Sequence, residues 1–366
     1  MKSFIINIQQ LKKALALLSP IIEKADIHAI SDSILLSIDK NQIEIIGRNN
    51  EICIKTILPI INSNNNSFMI LVNAKTLLHI VFTSTVESLI FEISGRNIEE
   101  GEGHVVIMGN SKSSLPLKSL RSYPEFPDIT TGIYADIDIE EFVTILNRAS
   151  SYVEKDSIAY NSGICCGNGL IVATDRLHGL FWKYKTPIGL FVISPSILKP
   201  LKLLESAKIS LIDSPAVLGI VGKIGGIMVL LSISTLHDEY PLDRTKAAIK
   251  LWSESKTYRF SVNRDILQDA IIRMKGFIQE STGFIEAHIS NEIMTLRTVF
   301  QQYESEEKLE YYGETPPIAF RMNFKYWMEV IKESSDIVNL IIIPQYHILN
   351  IRNENYLYSA AIQLIE

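Results

Sequence analysis

Two aspartates, Asp136 and Asp138, are the residues of this sequence whose spacing best fits metal-assisted chemistry. They alternate along a predicted strand, as the carboxylates of a two-metal site do. They also come directly before a predicted helix, whose N-terminal amides favour acidic side chains without any metal. The sequence has no HExxH or CxxC spacing, and its seven histidines are scattered. We therefore expect neither a metal site nor a cofactor.

The glycine-rich segment 222–226 could cradle a phosphate only if it joined a strand to a helix. It lies instead between two strand-like runs, LGIV and IMVLLSIS, so the pattern predicts a hairpin turn. The serines and histidines show no nucleophile-elbow context. We expect no intrinsic catalysis. A repair or hydrolytic enzyme built on repeated α+β units is the alternative, and it would need a carboxylate or histidine cluster that the sequence does not reveal.

An extended run that ends in Asn or Ser and continues as a helix-like apolar pattern occurs at three places. The polar residues at these junctions are Asn73, Ser194 and Asn323, which are 121 and 129 residues apart. Each side chain can accept a hydrogen bond from the first helical turn, so each is a predicted N-cap. A period this long indicates a repeated domain rather than a short solenoid.

Each of these junctions is preceded by a second strand–helix unit, so every repeat is itself doubled. The preceding units are FIINIQQLKKALALL, YADIDIEEFVTILNRA and YRFSVNRDILQDAII. The segments between the helices alternate apolar and polar residues around turns, which is typical of antiparallel hairpins with one buried face. We predict an α+β fold of three tandem domains, each a doubled β-α-β-β-β unit, at residues 1–127, 128–250 and 251–366.

Composition indicates a soluble protein of the reducing cytoplasm. The hydrophobic fraction of 47% supports full cores, and no apolar run approaches the roughly 20 residues needed to span a bilayer. The first residues lead straight into an alternating strand, so we expect no signal peptide. The three cysteines, Cys53, Cys165 and Cys166, do not form a disulfide framework, because they are odd in number and two are adjacent.

The distribution of charge matters more than the net charge of −6. Six helices are predicted, at 9–24, 73–85, 139–155, 195–208, 264–277 and 323–334. Together they carry five more basic than acidic residues, so the remainder of the chain is strongly acidic. If the helices share one side of the molecule, that side is a basic face that can attract phosphate. The alternative is that lysine and glutamate are simply good residues for a solvated helix surface.

In their order and spacing these features resemble the bacterial DNA sliding clamp family, the β subunit of the replicative polymerase. The doubled repeats, the length of 366, FPDI at the first boundary and a YP-x-D-R pattern at the second carry the resemblance. Ser19-Pro20, Val172-Ala173-Thr174-Asp175 and Ser359-Ala360-Ala361 match the family as well. The resemblance covers the whole chain.

The resemblance implies a homodimeric ring with helices lining a hole and antiparallel sheets outside. Duplex DNA would pass through the hole without sequence readout. The chain would then be a processivity factor of DNA replication, a non-catalytic subunit of a DNA-directed DNA polymerase, itself a nucleotidyltransferase. The implied partners are DNA, a second copy, the polymerase catalytic subunit and the clamp loader, the last two through short peptide motifs. No membrane is implied.

The resemblance also assigns residues to DNA. Most of them are basic residues on or just after the predicted helices. The full set is Lys12, Lys24, Lys155, Tyr160, Lys199, Lys202, Arg273 and Lys332. The alternative for each is a solvated helix face.

The family closes its ring by pairing an edge strand of the first domain with an edge strand of the third. Here the first edge is 113–118, in which Pro116 removes one backbone donor. The second edge is expected just after the fifth helix. The implied interface residues, for which ordinary core is the alternative, are Leu115, Leu117, Phe277 and Ile278.

Partner peptides of the family dock between the second and third domains. The family pattern Thr-Asp-Gly-His-Arg-Leu is replaced here by TDRLHGL at 174–180, and the chain ends without the proline-containing tail of the family. A pocket with altered shape and charge is therefore expected, formed by Thr174, Leu177, His178, Leu180, Pro241, Ile362 and Leu364. The alternative function is a divergent paralogue or clamp-like adaptor that is not the main replicative clamp.

Overall fold

The computed structural model describes residues 2–22, 31–64, 67–154, 162–212, 217–235, 240, 242–278, 283–300, 303–352 and 354–365. The contacts divide the chain into two compact units. Unit 1 consists of Met1–Asn147, Cys166–Asn168 and Lys185–His237, and unit 2 consists of Arg148–Cys165, Gly169–Tyr184 and Asp238–Glu366.

The first sequence repeat contains nine strands and two helices within its described residues. In chain order they are β1 (Lys2–Asn7), α1 (Ile8–Ile22), β2 (Ser33–Asp39), β3 (Gln42–Arg48), β4 (Ile52–Pro59), β5 (Asn62–Ser63), β6 (Phe68–Asn73), α2 (Ala74–Thr83), β7 (Ser88–Asn97), β8 (Glu102–Met108) and β9 (Lys112–Pro116).

The elements of the middle repeat follow a similar order, with four strands rather than five between the two helices among the described residues. They are β10 (Ala135–Ile137), α3 (Ile139–Ala149), β11 (Ile164–Gly167), β12 (Leu170–Thr174), β13 (His178–Lys183), β14 (Phe191–Ile193), α4 (Leu198–Leu201), β15 (Ser206–Ile212), β16 (Val217–Ile224) and β17 (Ile227–Ser234).

An additional helix precedes the third repeat. The remaining elements are α5 (Leu242–Glu254), β18 (Tyr258–Asn263), α6 (Arg264–Met274), β19 (Phe284–Ser290), β20 (Ile293–Phe300), β21 (Tyr303–Glu310), β22 (Ile318–Asn323), α7 (Phe324–Lys332), β23 (Ile337–Ile343), β24 (Ile348–Arg352), β25 (Tyr356–Ala361) and β26 (Gln363–Ile365).

The antiparallel sheets continue from one repeat into the next. In unit 1, β4 of the first repeat pairs with β17 of the middle repeat, giving the order β10-β15-β16-β17-β4-β3-β2-β6. In unit 2, β13 of the middle repeat pairs with β25 of the third, giving β12-β13-β25-β24-β23-β18. Because these sheets cross the repeat boundaries, contacts group the chain into two units rather than three. The three-domain division remains a prediction.

Two five-stranded sheets belong to the two terminal repeats. Their orders are β5-β1-β7-β8-β9 in unit 1 and β21-β20-β19-β22-β26 in unit 2. One face of each sheet is buried, as the alternating sequence requires. Phe4 of β1 stacks on Phe91 of β7 at 4.6 Å, and Phe320 of β22 stacks on Trp327 of α7 at 5.9 Å.

Two helices differ from the sequence prediction. The fourth helix, expected over 195–208, is a short 3-10 turn at Pro195–Ile197 followed by α4, and Lys208 lies in β15. The chain there returns to the sheet because alternate residues of β15 are buried. Helix α5 was missed because its start was interpreted as a linker. No described helix is long and apolar enough to cross a membrane.

Candidate functional sites

Each helix that directly follows a strand begins at a side-chain cap. The predicted caps Asn73, Ser194 and Asn323 accept backbone hydrogen bonds at 3.0, 3.3 and 2.8 Å, which confirms the prediction. Asn7 and Asn263 cap α1 and α6 in the same way. Each cap accepts a hydrogen bond from a first-turn amide that has no partner within the helix. Loss of one cap lowers the stability of the protein by about 1 kcal/mol.

Asp138 has a cap role as well. Its Oδ1 accepts from the backbone N–H of Glu141 at 3.0 Å, and Asp136 forms an ion pair with Lys208 at 3.3 Å. Within the described residues no group of three or more His, Cys, Asp or Glu side chains could hold a metal ion. The two aspartates are therefore explained by capping and ion pairing.

The glycine-rich segment is a hairpin turn, as predicted. Gly225 and Gly226 join β16 to β17 with φ angles of +52° and +80°. Both angles lie in the left-handed region that glycine adopts without strain, and successive positive values are typical of a type I′ turn.

The helices of unit 1 lie side by side. α1 packs against both α2 and α4, and Lys202, at the end of α4, donates from Nζ to Oδ1 of Asn147 in α3 at 2.6 Å. Four helices from two repeats therefore form one row.

Three of the expected DNA-contacting lysines lie in this row. Lys12 donates to the carbonyl oxygen of Ser84 at 2.7 Å, and the partner of Lys202 is a neutral amide. Lys199 is exposed on α4. Among the described residues none of the three is paired with a carboxylate, so their charges remain available to an anion.

Two of the basic residues expected to contact DNA lie in unit 2, and each already forms an ion pair with a glutamate of its own chain. Arg273 makes a two-bond ion pair with Glu307 of β21, at 2.8 and 2.9 Å. Lys332 lies 3.2 Å from Glu329. The other expected positions, Lys24, Lys155 and Tyr160, lie outside the described residues. The basic character is thus stronger in the helices of unit 1.

Strand β9 is an edge strand whose ladder to β8 fixes which amides face outward. The N–H of Leu117 donates to Gly103 at 3.0 Å, and inward-facing amides alternate in an antiparallel pair. The amide of Ser114 and the ring nitrogen of Pro116 therefore face the open edge. Leu115 and Leu117 are buried, so their side chains belong to the core.

The second expected edge was placed wrongly. Phe277 ends a 3-10 turn at Lys275–Phe277, and the N–H of Ile278 donates back to Lys275, so neither lies in a strand. The edge strands of this sheet are β21 and β26, and β21 is the one that leaves a long edge open. Its alternation was visible in YESEEKLE, but its four glutamates resemble a solvated loop.

The altered TDRLHG segment forms a compact turn between β12 and β13. Thr174 Oγ1 donates to the carbonyl of His178 at 2.9 Å and accepts from the amide of Arg176 at 3.0 Å. Arg176 adopts φ +78°, and the side chain of Leu177 is 58% exposed. The turn therefore presents an apolar side chain to solvent.

This turn is tied to the C-terminal segment. The carbonyl of Leu177 accepts from the amide of Ala361 at 2.7 Å, and Ile362 donates to His347 at 2.9 Å. Ile362 is buried and Leu364 is half-buried in β26, whereas Pro241 lies outside the described residues. Thr174 and Leu177 therefore lie beside the segment that contains Ile362, and their role in a pocket remains a prediction.

His178 and Leu180, in contrast, are buried and do not line an open rim. His178 Nδ1 lies 2.6 Å from Oδ1 of Asp175, and the imidazole stacks on Tyr326 at 4.5 Å. Burial of Asp175 disfavours its ionised form, but hydrogen bonds from His178 and backbone amides outweigh this and hold its pKa below the ordinary value.

The three cysteines, all of them among the described residues, are buried and form no disulfide. Burial raises the pKa of Cys53 to about 11 and that of Cys165 to about 12. Since the thiolate is the reactive form, both thiols are poor nucleophiles at neutral pH.

Comparison with known proteins gives one family match. Residues 1–129 match the family described as "DNA polymerase III beta subunit, N-terminal domain". No curated protein matches the sequence. Among solved structures, the DNA polymerase sliding clamp of Caulobacter crescentus superposes with a TM-score of 0.86 at 15% identity, over 100% of both chains. The chain has the sliding-clamp fold.

Other clamps agree over the same extent. The DNA polymerase III beta subunit of Thermotoga maritima gives a TM-score of 0.83 at 15% identity. The beta subunit from the DNA polymerase of Streptococcus pyogenes gives 0.80 at 17%, and both comparisons cover 100% of each chain. The chain thus shares its fold over its whole length with bacterial DNA polymerase III beta subunits, at 15–17% sequence identity.

Proposed function

We propose that this chain is a DNA sliding clamp, a processivity factor that encircles duplex DNA and tethers a replicative polymerase. The observation that carries the proposal is the full-length clamp fold at a TM-score of 0.86. The row of α2, α1, α4 and α3 supports it, because Lys12, Lys199 and Lys202 lie there without carboxylate partners among the described residues. Three separated charges provide weak attraction to phosphates and no base readout.

Ring closure by a second copy follows from the two edge strands. β9 belongs to unit 1 and β21 to unit 2, and each leaves one side of its backbone unpaired within the described chain. Three of the four glutamates of β21 are already paired with basic residues of their own chain, namely Arg273, Arg297 and Lys308. Backbone hydrogen bonding between the two open edges therefore favours pairing β9 with β21 of another copy, and a twofold axis makes both pairings at once.

The polymerase and the loader would dock near the 174–178 turn. Exposed Leu177 offers an apolar contact, and the hydrogen bond from Ala361 fixes its position relative to the C-terminal strands. Short peptides with apolar anchors bind such surfaces when a few polar groups orient them.

A clamp paralogue or adaptor with a different partner set is the second candidate. It is favoured by the burial of His178, since that side chain cannot orient a partner peptide from inside the core. The clamp fold and the basic row are common to both candidates, so only partner binding separates them.

Retention on DNA tests the proposal. The protein is loaded onto nicked circular DNA and passed over a sizing column at moderate salt, and the DNA is then linearised. A clamp should remain bound to the circular DNA and slide off the linear DNA. Its mass in solution should be twice 41.3 kDa. A monomeric mass at all concentrations, or equal retention on both forms of DNA, would contradict the ring.

A further inference from the structure

Helix α5 covers the sheet face of unit 2 that is opposite to α7. Tyr358 points to the α7 side, where its hydroxyl donates to the carbonyl of Tyr326. Phe181 pairs with Leu357, one residue from Tyr358 along β25, and therefore lies on the other face. There its ring meets Trp252 of α5 edge-on at 6.3 Å.

A cavity of about 420 Å³ lies between α5 and this face. Its apolar lining includes Leu170, Phe181 and Ile341, and Trp252 forms part of the wall. The volume is within the range of small-molecule sites. None of the six described residues assigned to the partner-peptide pocket lines it, so we treat it as a separate site.

The cavity is rimmed by cations in a protein whose net charge is −6. Its basic residues are Lys183, Lys246, Lys250, Arg259 and Arg352, and no acidic residue lines it among those described. Lys183 donates to a backbone carbonyl and Arg259 to a threonine hydroxyl, so the partners that they have among the described residues are neutral.

The other three cations make no ion pair among the described residues. Unpaired cations that converge on one cavity repel each other, and an anion in the cavity removes that repulsion. Arginine and lysine together are suited to phosphate, arginine through its planar fork and lysine as a point charge.

The cavity also has a buried polar group for the body of a ligand. Asn350 is 5% exposed, and its Oδ1 accepts from Ser359 Oγ at 2.5 Å. Its amide nitrogen is therefore the group that can donate to a ligand. An aromatic wall, an amide donor and a cationic rim match a planar heterocycle that carries phosphate.

We propose that this cavity binds a nucleoside phosphate, with the ring against Trp252 and Phe181 and the phosphates among the basic residues. The ligand can come from free nucleotide or from the terminal nucleotide of a strand. The inference concerns a site outside the proposed ring lining and does not depend on clamp activity.

Calorimetry with four probes tests the proposal on the full chain: ADP, adenosine, pyrophosphate and a short single-stranded oligonucleotide. ADP should bind at least about tenfold more tightly than adenosine or pyrophosphate, because only ADP uses both ring and charge. Oligonucleotide binding that competes with ADP would identify a strand end as the source. Equal binding of pyrophosphate and ADP, or no binding of any probe, overturns the proposal.

Variants then locate the site. Arg352→Gln and Lys250→Gln change exposed side chains, and each should weaken ADP binding about fivefold or more. Lys40→Gln, an exposed lysine in the hairpin turn between β2 and β3, should leave it unchanged. Trp252→Leu should reduce the preference for ADP over pyrophosphate, with circular dichroism confirming the fold. An equal effect of Lys40→Gln would show that ADP senses only general charge.

Discussion

The hydroxyl of Tyr152 donates to the carboxylate of Glu333 at 3.2 Å, although 181 residues separate them and both are almost fully buried. Glu329 lies at the same distance from the hydroxyl, and Arg148 approaches Glu333 at 3.5 Å. The segment after α3 is thereby fastened to α7 within unit 2. Burial of Glu333 raises its pKa, against the opposing influence of Arg148 and Tyr152.

Glu333→Gln should stabilise the protein at neutral pH. Because the native pKa is raised above the ordinary value of 4.5, the contribution of Glu333 is full below that value and falls as pH rises through the native pKa. Glutamine keeps an acceptor for Tyr152 without the buried charge. Denaturant unfolding of wild type and variant should show a stability gain at pH 7 that shrinks toward pH 4. Glu254→Gln, on the exposed side of α5, is the control, and a gain independent of pH would contradict the account.

Asp175→Asn should change the stability of the protein in the opposite direction from Glu333→Gln. The pKa of Asp175 is held below 3.8, so its stabilisation is full above that value and is lost as pH falls through the native pKa. Asparagine retains an acceptor for the amides of Leu177 and His178 but loses the charge beside the imidazole. The variant should be destabilised by about 1 kcal/mol at pH 7, with the difference vanishing in strong acid. Asp269→Asn on exposed α6 should show no such pattern.

Ser114→Pro should weaken self-association of the proposed ring. The amide of Ser114 faces the open edge of β9, so proline there removes a donor from the interface and not from the ladder to β8. One hydrogen bond is worth roughly 1 kcal/mol, and the twofold axis removes one at each of the two interfaces, so the dimer dissociation constant should rise about thirtyfold. Ser114→Ala keeps the amide and should match wild type in sedimentation equilibrium. Unchanged association of the proline variant would exclude β9 from the interface.

Replacing Lys24, Lys155, Lys199 and Lys202 with Glu should reduce retention on circular DNA while the fold persists. Each lost phosphate contact should flatten the dependence of log affinity on log salt by about 0.9. Lys199 and Lys202 lie in the helix row of unit 1, and Lys24 and Lys155 lie outside the described residues. Lys40→Glu is the control. An unchanged slope after all four replacements would mean that the lysines are solvated surface only.

A standard clamp-binding peptide should bind this chain at least about tenfold less tightly than it binds a typical clamp, a loss of roughly 1.4 kcal/mol. The reason is the burial of His178 and the altered 174–178 turn. Titration of one peptide on both proteins measures the difference. Leu177→Ala should weaken any remaining binding, whereas Leu203→Ala, also partly exposed but in unit 1, should not. Equal affinity for the two proteins would show that the altered turn rebuilds the family groove.

Local sequence signals predicted the strand–helix junctions well. Asn73, Ser194 and Asn323 cap helices as their side-chain chemistry requires, and the glycine pair forms the turn that its flanking strands indicated. These features depend on neighbours within four residues, which a sequence displays directly.

Features that depend on distant residues could not be obtained in this way. Lys208 was assigned to a helix because its sheet partners are remote in sequence, and β21 was missed because an acidic edge strand resembles a loop. The burial of His178 follows from Tyr152 and Tyr326, each contributed by another segment. Packing across long separations decides which polar residues are exposed.

Pro116 gives the proposed ring a mechanical property. A ring must open at a subunit interface each time it is loaded onto DNA. The free energy of opening depends on the interactions along that interface. An interface in which proline replaces a backbone donor is easier to open, and a twofold axis repeats that weakness at both interfaces. Such a clamp would demand less force from its loader and would leave closed circles sooner.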